Sequence, residues 1–84
     1  MQVELKLFMK FKDYTPETGA NGKAKIEIPD GSTFEDLLVF LNMPVEMDKI
    51  IVINGISHKQ GSKVNMQQLN DRDVVAIFPP IAGG

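Results

Sequence analysis

Apolar and polar residues alternate strictly at the start of the chain. Val3, Leu5 and Leu7 share one side, and Gln2, Glu4 and Lys6 the other, which predicts a half-buried strand. The segment Asp13 to Gly22, DYTPETGANG, is rich in turn formers and predicts a loop or a loose hairpin connection. Alternation resumes with Ala24, Ile26 and Ile28 inward, until Pro29-Asp30-Gly31 turns the chain. Ser32 or Thr33 then offers a helix N-cap, and Glu35 and Asp36 suit the positive end of the helix dipole. Phe34, Leu37, Leu38 and Leu41 recur at helical spacing over about ten residues. Asn42 and the Met43-Pro44 step close that helix.

The β-branched run Lys49 to Ile53 predicts a central or well-covered strand, and Asn54-Gly55 is a strong hairpin signal returning through Ile56-Ser57-His58. Gln60-Gly61-Ser62-Lys63 predicts another loop, Leu69 anchors a short turn before Asn70-Asp71, and Asp73 to Phe78 forms the last strand with Val75 and Ile77 inward. Two strands, a helix and then further strands predict an α+β fold, a mixed sheet of four to five strands with one helix packed across one face. The ββαββ order is that of the β-grasp, or ubiquitin-like, architecture. There a right-handed crossover through the helix is expected to bring the third strand parallel to the first. No internal repeat or linker divides the chain, so residues 1–84 are expected to form one domain, with 79–84 a flexible C-terminal tail.

Composition narrows the chemistry. Nine basic against eleven acidic side chains leave a net charge of -2, which disfavours a phosphate-tracking nucleic-acid binder. The absence of cysteine removes disulfides, thiolate metal sites and cysteine nucleophiles. No apolar run approaches the ~20 residues that span a bilayer, and MQVELKLFMK lacks a signal-peptide core, so a cytoplasmic protein with no membrane partner is expected.

The chain ends Phe78-Pro79-Pro80-Ile81-Ala82-Gly83-Gly84. Two prolines stiffen the exit from the last strand, and the following residues lose bulk. Extended at ~3.3–3.6 Å each, the residues after Pro80 reach roughly 13–14 Å. Gly83 and Gly84 lack β-carbons and can thread a narrow channel. A terminal carboxylate is a poor electrophile until activated, most simply as an acyl-adenylate. Nothing in the chain supplies that step, so another protein must.

With its β-grasp order and the run Asp73-x-Val75-x-x-Phe78-Pro79-Pro80-Ile81-Ala82-Gly83-Gly84, the chain resembles the MoaD/ThiS family of ubiquitin-like sulfur carriers. Within the family it is most like the MoaD branch, the small subunits of molybdopterin synthase. The resemblance runs through VELKLF, PDGSTFEDLLVFL, IVINGI and LNDRDVVAIFPPIAGG. It implies that an E1-like enzyme, using ATP and magnesium, adenylates Gly84. A sulfurtransferase or persulfide donor then converts the adenylate to a thiocarboxylate. The tail next enters the large synthase subunit and donates sulfur to a pterin precursor, forming the dithiolene that binds molybdenum or tungsten. Gly84 would carry the chemistry and Gly83 the clearance, while the chain itself would bind no cofactor and be no enzyme. One departure is Arg72, where the family usually has glycine before the aspartate that opens the last strand.

Phe8 and Phe78 fall on the non-core phase of their strands and are expected to form an apolar patch near the tail. There they would bind partners together with Pro79, Pro80, Ile81 and Ala82. His58 lacks the neighbours of a metal site and reads as a polar strand residue. Asp71 and Asp73 read as a solvated, turn-forming pair, and Glu46 and Asp48 as solubilising. Lys10, Lys12 and Lys59 read as surface residues able to meet an acidic edge. Gly55 and Gly61 match no phosphate-binding pattern, and the methionines read as gap-fillers and surface residues. Three other functions share these features. They are a carrier for thiamine or transfer RNA thiolation, a ubiquitin-like modifier joined to lysines, and an interaction module in which the glycines are incidental.

Overall fold

A computed structural model describes residues 1–80 of the chain. Five strands form one sheet: β1 (Gln2–Leu7), β2 (Lys23–Glu27), β3 (Ile50–Ile53), β4 (Ile56–His58) and β5 (Val74–Phe78). Their spatial order is β2-β1-β5-β3-β4. The β1–β2, β3–β5 and β3–β4 pairs are antiparallel, and β1–β5 is parallel.

The strand parallel to β1 and beside it is therefore β5. The expected parallel third strand, β3, lies on the far side of β5 and runs against it. The reason lies in the Val74–Phe78 run, VVAIF, which is apolar on both faces and so suits the middle of a sheet. At the other end of the chain order, β4 has only the residues Ile56 to His58 and closes an edge.

Helix α1 (Phe34–Phe40) crosses one face of the sheet, and its start is set by local chemistry. The Thr33 hydroxyl accepts from the Asp36 backbone N–H at 3.2 Å, and the Asp36 carboxylate accepts from the Thr33 N–H at 2.9 Å. This is a capping box. Ser32 is buried and spends its hydroxyl elsewhere, donating to the Pro29 carbonyl at 2.7 Å. At the other end Asn42 adopts a left-handed φ of 60°. The Met43 N–H bonds Leu38 O and the Asn42 N–H bonds Val39 O, the two bonds of a Schellman motif. The helix thus spans seven residues and is shorter than its apolar stripe, because buried Leu41 belongs to the cap.

Val3, Leu5, Leu7, Ile26, Leu37 and Ile77 are among the residues that fill the space between sheet and helix. Phe11 joins them from a 3-10 helix, Met9–Tyr14, inside a stretch the sequence pattern marks only as the approach to a loop. The loop expected at Gln60–Lys63 is also shorter than read, since a second helical turn, α2 (Ser62–Asn65), starts within it and buries Val64. At the Asn54-Gly55 hairpin both residues have positive φ, 52° and 82°, as a type I′ turn requires.

Candidate functional site

The site is built where β1 and β5 end side by side. Leu7 and Ile77 are in register and point into the core. The next residues, Phe8 and Phe78, point the opposite way by the two-residue period of a strand. The Phe8 N–H still donates to Ile77 O at 3.2 Å, so the ladder runs one residue beyond β1. Met9, at a φ of 55°, then turns the chain aside. Gly22 seals this corner: its carbonyl accepts from the Leu7 N–H at 2.6 Å, and a β-carbon there would lie 2.0 Å from Leu7 O.

On the outer face the Phe8 and Phe78 rings stack with centroids 4.2 Å apart and planes within 8°. Both are half-buried. Ile50, in register with Phe78 on β3, extends the apolar surface and is 40% exposed. Pro79 is buried, whereas Pro80 is exposed. The chain therefore leaves the body at Pro80, one residue later than the expected 79–84 tail, and Pro79 offers a partner little surface. Ile81, Ala82, Gly83 and Gly84 lie outside the described residues.

The opposite end of β5 is anchored by polar bonds. Asp73 is 8% exposed, which corrects the reading of Asp71 and Asp73 as a solvated pair. Its carboxylate accepts from the Asn70 N–H at 2.8 Å and from the Asn54 side-chain amide at 2.9 Å. The Asn54 amide oxygen in turn accepts from the Val74 N–H at 2.8 Å. Exposed Asp71 accepts from the Gln2 N–H at 2.8 Å, and the Arg72 N–H returns a bond to Gln2 O at 2.6 Å. Start of β1, start of β5 and the β3–β4 hairpin are thus tied together. Arg72 has a φ of 69°, the left-handed geometry that glycine takes without cost.

Other residues singled out from sequence stay outside this site. His58 is half-buried on edge strand β4, and among the described residues no cluster of ligands could hold a metal. Glu46, Asp48, Lys10, Lys12 and Lys59 are exposed. Among the methionines Met43 is core, while Met9 and Met66 are exposed. Among the described residues no helix is long and apolar enough to cross a membrane.

Sequence reasoning passed over Lys49, which is 5% exposed. Its ammonium donates to the carbonyls of Pro44 at 3.3 Å, Val45 at 2.8 Å and Met47. Burial pushes its pKa below the ordinary lysine value, with the neighbouring Asp48 charge acting in the other direction. A lysine opening an apolar strand gives no sign of this in the sequence, because the acceptors are backbone atoms.

The sequence profile of the ThiS family matches residues 6–84. No match is found among curated proteins. Among solved structures, the chain is similar to the putative molybdopterin converting factor, subunit 1, from Pyrococcus furiosus. The two are 24% identical, with 95% of this chain and 98% of that one covered and a TM-score of 0.68. It is also similar to SAMP1 from Haloferax volcanii, at 19% identity, full coverage of both chains (100% and 100%) and a TM-score of 0.70. At these identities the likeness is one of fold, and with the mixed five-stranded sheet it makes this a β-grasp, ubiquitin-like domain.

Proposed function

The chain belongs to the ThiS family, and from that premise we propose that it carries sulfur as a thiocarboxylate on Gly84 for molybdopterin synthesis. One observation carries the reading: the tail issues from β5, the central strand, beside a stacked pair of rings on the open face of the sheet. A tail that must enter the active sites of successive partners needs a rigid root, and β5 is held by β1 on one side and β3 on the other. The likeness to a molybdopterin converting factor subunit supports the choice of pathway.

In this reading the chain is a protein co-substrate, and the catalytic groups stand on its partners. An E1-like enzyme, with ATP and magnesium, lets a carboxylate oxygen of Gly84 attack the α-phosphorus, and pyrophosphate leaves. The outer sulfur of a persulfide on the sulfurtransferase or donor then attacks the carbonyl carbon, and AMP departs with the bridging oxygen. A partner thiol cleaves the resulting acyl disulfide, releasing the thiocarboxylate and leaving a disulfide on the partner. The large synthase subunit accepts the loaded tail, with Phe8 and Phe78 docking against it, Pro80 setting the exit, and Ile81, Ala82 and Gly83 lining the path.

The test is intact-mass spectrometry of untagged protein from its native cell. A mass increase equal to replacing one oxygen by sulfur, localised to the Gly83-Gly84 peptide, is expected. Gly84 found joined to lysines of other proteins would instead make the chain a protein modifier. An unaltered terminus after incubation with the activating enzyme, ATP and a sulfur source would leave it an interaction module.

A further inference from the structure

Strand register sets a row of side chains across the open face of the sheet. Lys23 lies opposite Lys6, Lys6 beside Ala76, Ala76 opposite Val52, and Val52 opposite Ser57. One step toward the tail is the Phe8–Phe78 stack with Ile50, and one step away are Lys25, Glu4 and Val74. The middle of the face is thus an apolar strip on β5 and β3, and its border on β2 and β1 carries Lys6, Lys23 and Lys25 together with Glu4 and Glu27.

The Lys6–Lys23 pair is costly in the free chain. Directly opposed residues on one face of an antiparallel pair sit ~4.5–5.5 Å apart at their β-carbons, where like charges destabilise. Among the described residues neither lysine, nor Lys25, makes an ion pair. This holds although acidic side chains outnumber basic ones, eleven to nine. Two acids share this face, Glu4 opposite Lys25 and Glu27 opposite Gln2, so only its Lys6–Lys23 end is uniformly basic. Glu35 and Asp36 are in the first turn of α1, and Asp13 and Glu17 line a cleft with Phe40 and Asn42. A repulsive pair beside an apolar strip is relieved when a surface of opposite charge covers it.

We infer that Lys6 and Lys23 select a protein partner whose pocket for Phe8 and Phe78 is bordered by carboxylates. The inference rests on the carrier reading and names the chemistry of the partner's docking surface. Lysines bordering an apolar strip act chiefly on the rate of encounter and its dependence on salt. The strip itself supplies most of the affinity.

The test uses Lys23→Glu, which turns the repulsive pair into a cross-strand ion pair, and Lys63→Glu, the same charge change on α2. Each untagged chain is mixed with the adenylating enzyme of the same organism in stopped flow, at low and high ionic strength, and its thermal unfolding is recorded. Lys23→Glu is expected to melt higher than the unsubstituted chain at low salt. It should also associate about tenfold more slowly, with a flattened salt dependence. Lys63→Glu should associate at close to the unsubstituted rate. If the unsubstituted chain binds and Lys23→Glu binds at the same rate, the lysines are not selective and the inference fails alone. If the unsubstituted chain does not bind, the carrier reading and the inference fall together. Reversible self-association in sedimentation velocity, abolished by Lys23→Glu, would overturn the partner by assigning the face to the acidic helix side of a second copy.

Discussion

The two faces of the β1–β5 pair are made by the same residues of backbone and differ in what their side chains do. Inward, Leu5, Leu7, Val75 and Ile77 are almost wholly buried beneath α1, in the hydrophobic core. Among the described residues every buried side-chain polar atom is hydrogen-bonded. Outward, no helix among the described residues covers the sheet, the two phenylalanines cover one another, and two lysines oppose each other across β1 and β2. The inner face is arranged for stability. The outer one keeps apolar area in water and a repulsive pair in register, both of which cost the free chain and favour a bound one.

Substitutions on the two faces should therefore separate stability from binding. The largest effect is expected at Leu37→Ala, in the buried stripe of α1, at ~3 kcal/mol of unfolding free energy. Urea denaturation would read it, and partner affinity measured well below the midpoint should stay unchanged. Phe78→Ala should invert that pattern. We expect ~2 kcal/mol of binding energy lost, roughly thirtyfold in Kd by titration calorimetry, against only about 1 kcal/mol of stability. A stability loss as large as that of Leu37→Ala would make the ring core and erase the distinction between the faces.

Two smaller effects sharpen the comparison away from the faces. Lys49→Met strands the carbonyls of Val45 and Pro44 and should cost about 1.5 kcal/mol. Faster amide exchange in the 44–49 loop would accompany it, with no change in partner binding. Arg72→Gly relieves a left-handed φ but frees the unfolded chain, for a net gain of about 0.5 kcal/mol. A small rise in melting temperature checks it. A fall would mean that Arg72 makes a contact worth more than its exposed approach to Asp71 at 3.9 Å.

Much of this was legible in the residues. Alternation located β1, β2 and β5, the Asn54-Gly55 pair located its hairpin, and the odd phase of Phe8 and Phe78 placed them opposite the core. These are consequences of a two-residue period and of turn chemistry, which act over a few positions. Less legible was the 3-10 helix at Met9–Tyr14, since so short a helical segment leaves almost no periodicity to read. Asp73 looked like a solvated turn residue because its second partner, Asn54, is nineteen positions away. The buried ammonium of Lys49 was hidden for a similar reason, its acceptors being carbonyls brought round by the loop.

By itself, then, the sequence determined which face the apolar residues of β1, β2 and β5 take, that α1 begins just after Ser32 or Thr33, and that two prolines stiffen the exit from the last strand. Each of these follows from bonding and steric rules among near neighbours along the chain. Tertiary structure alone decided that β5 and not β3 lies beside β1, that Phe8 meets Phe78 ring to ring, and that Lys6 faces Lys23 with no acid between them. Strand neighbours are chosen by the burial of the whole sheet, a sum over contacts between distant segments to which no local pattern contributes more than a share.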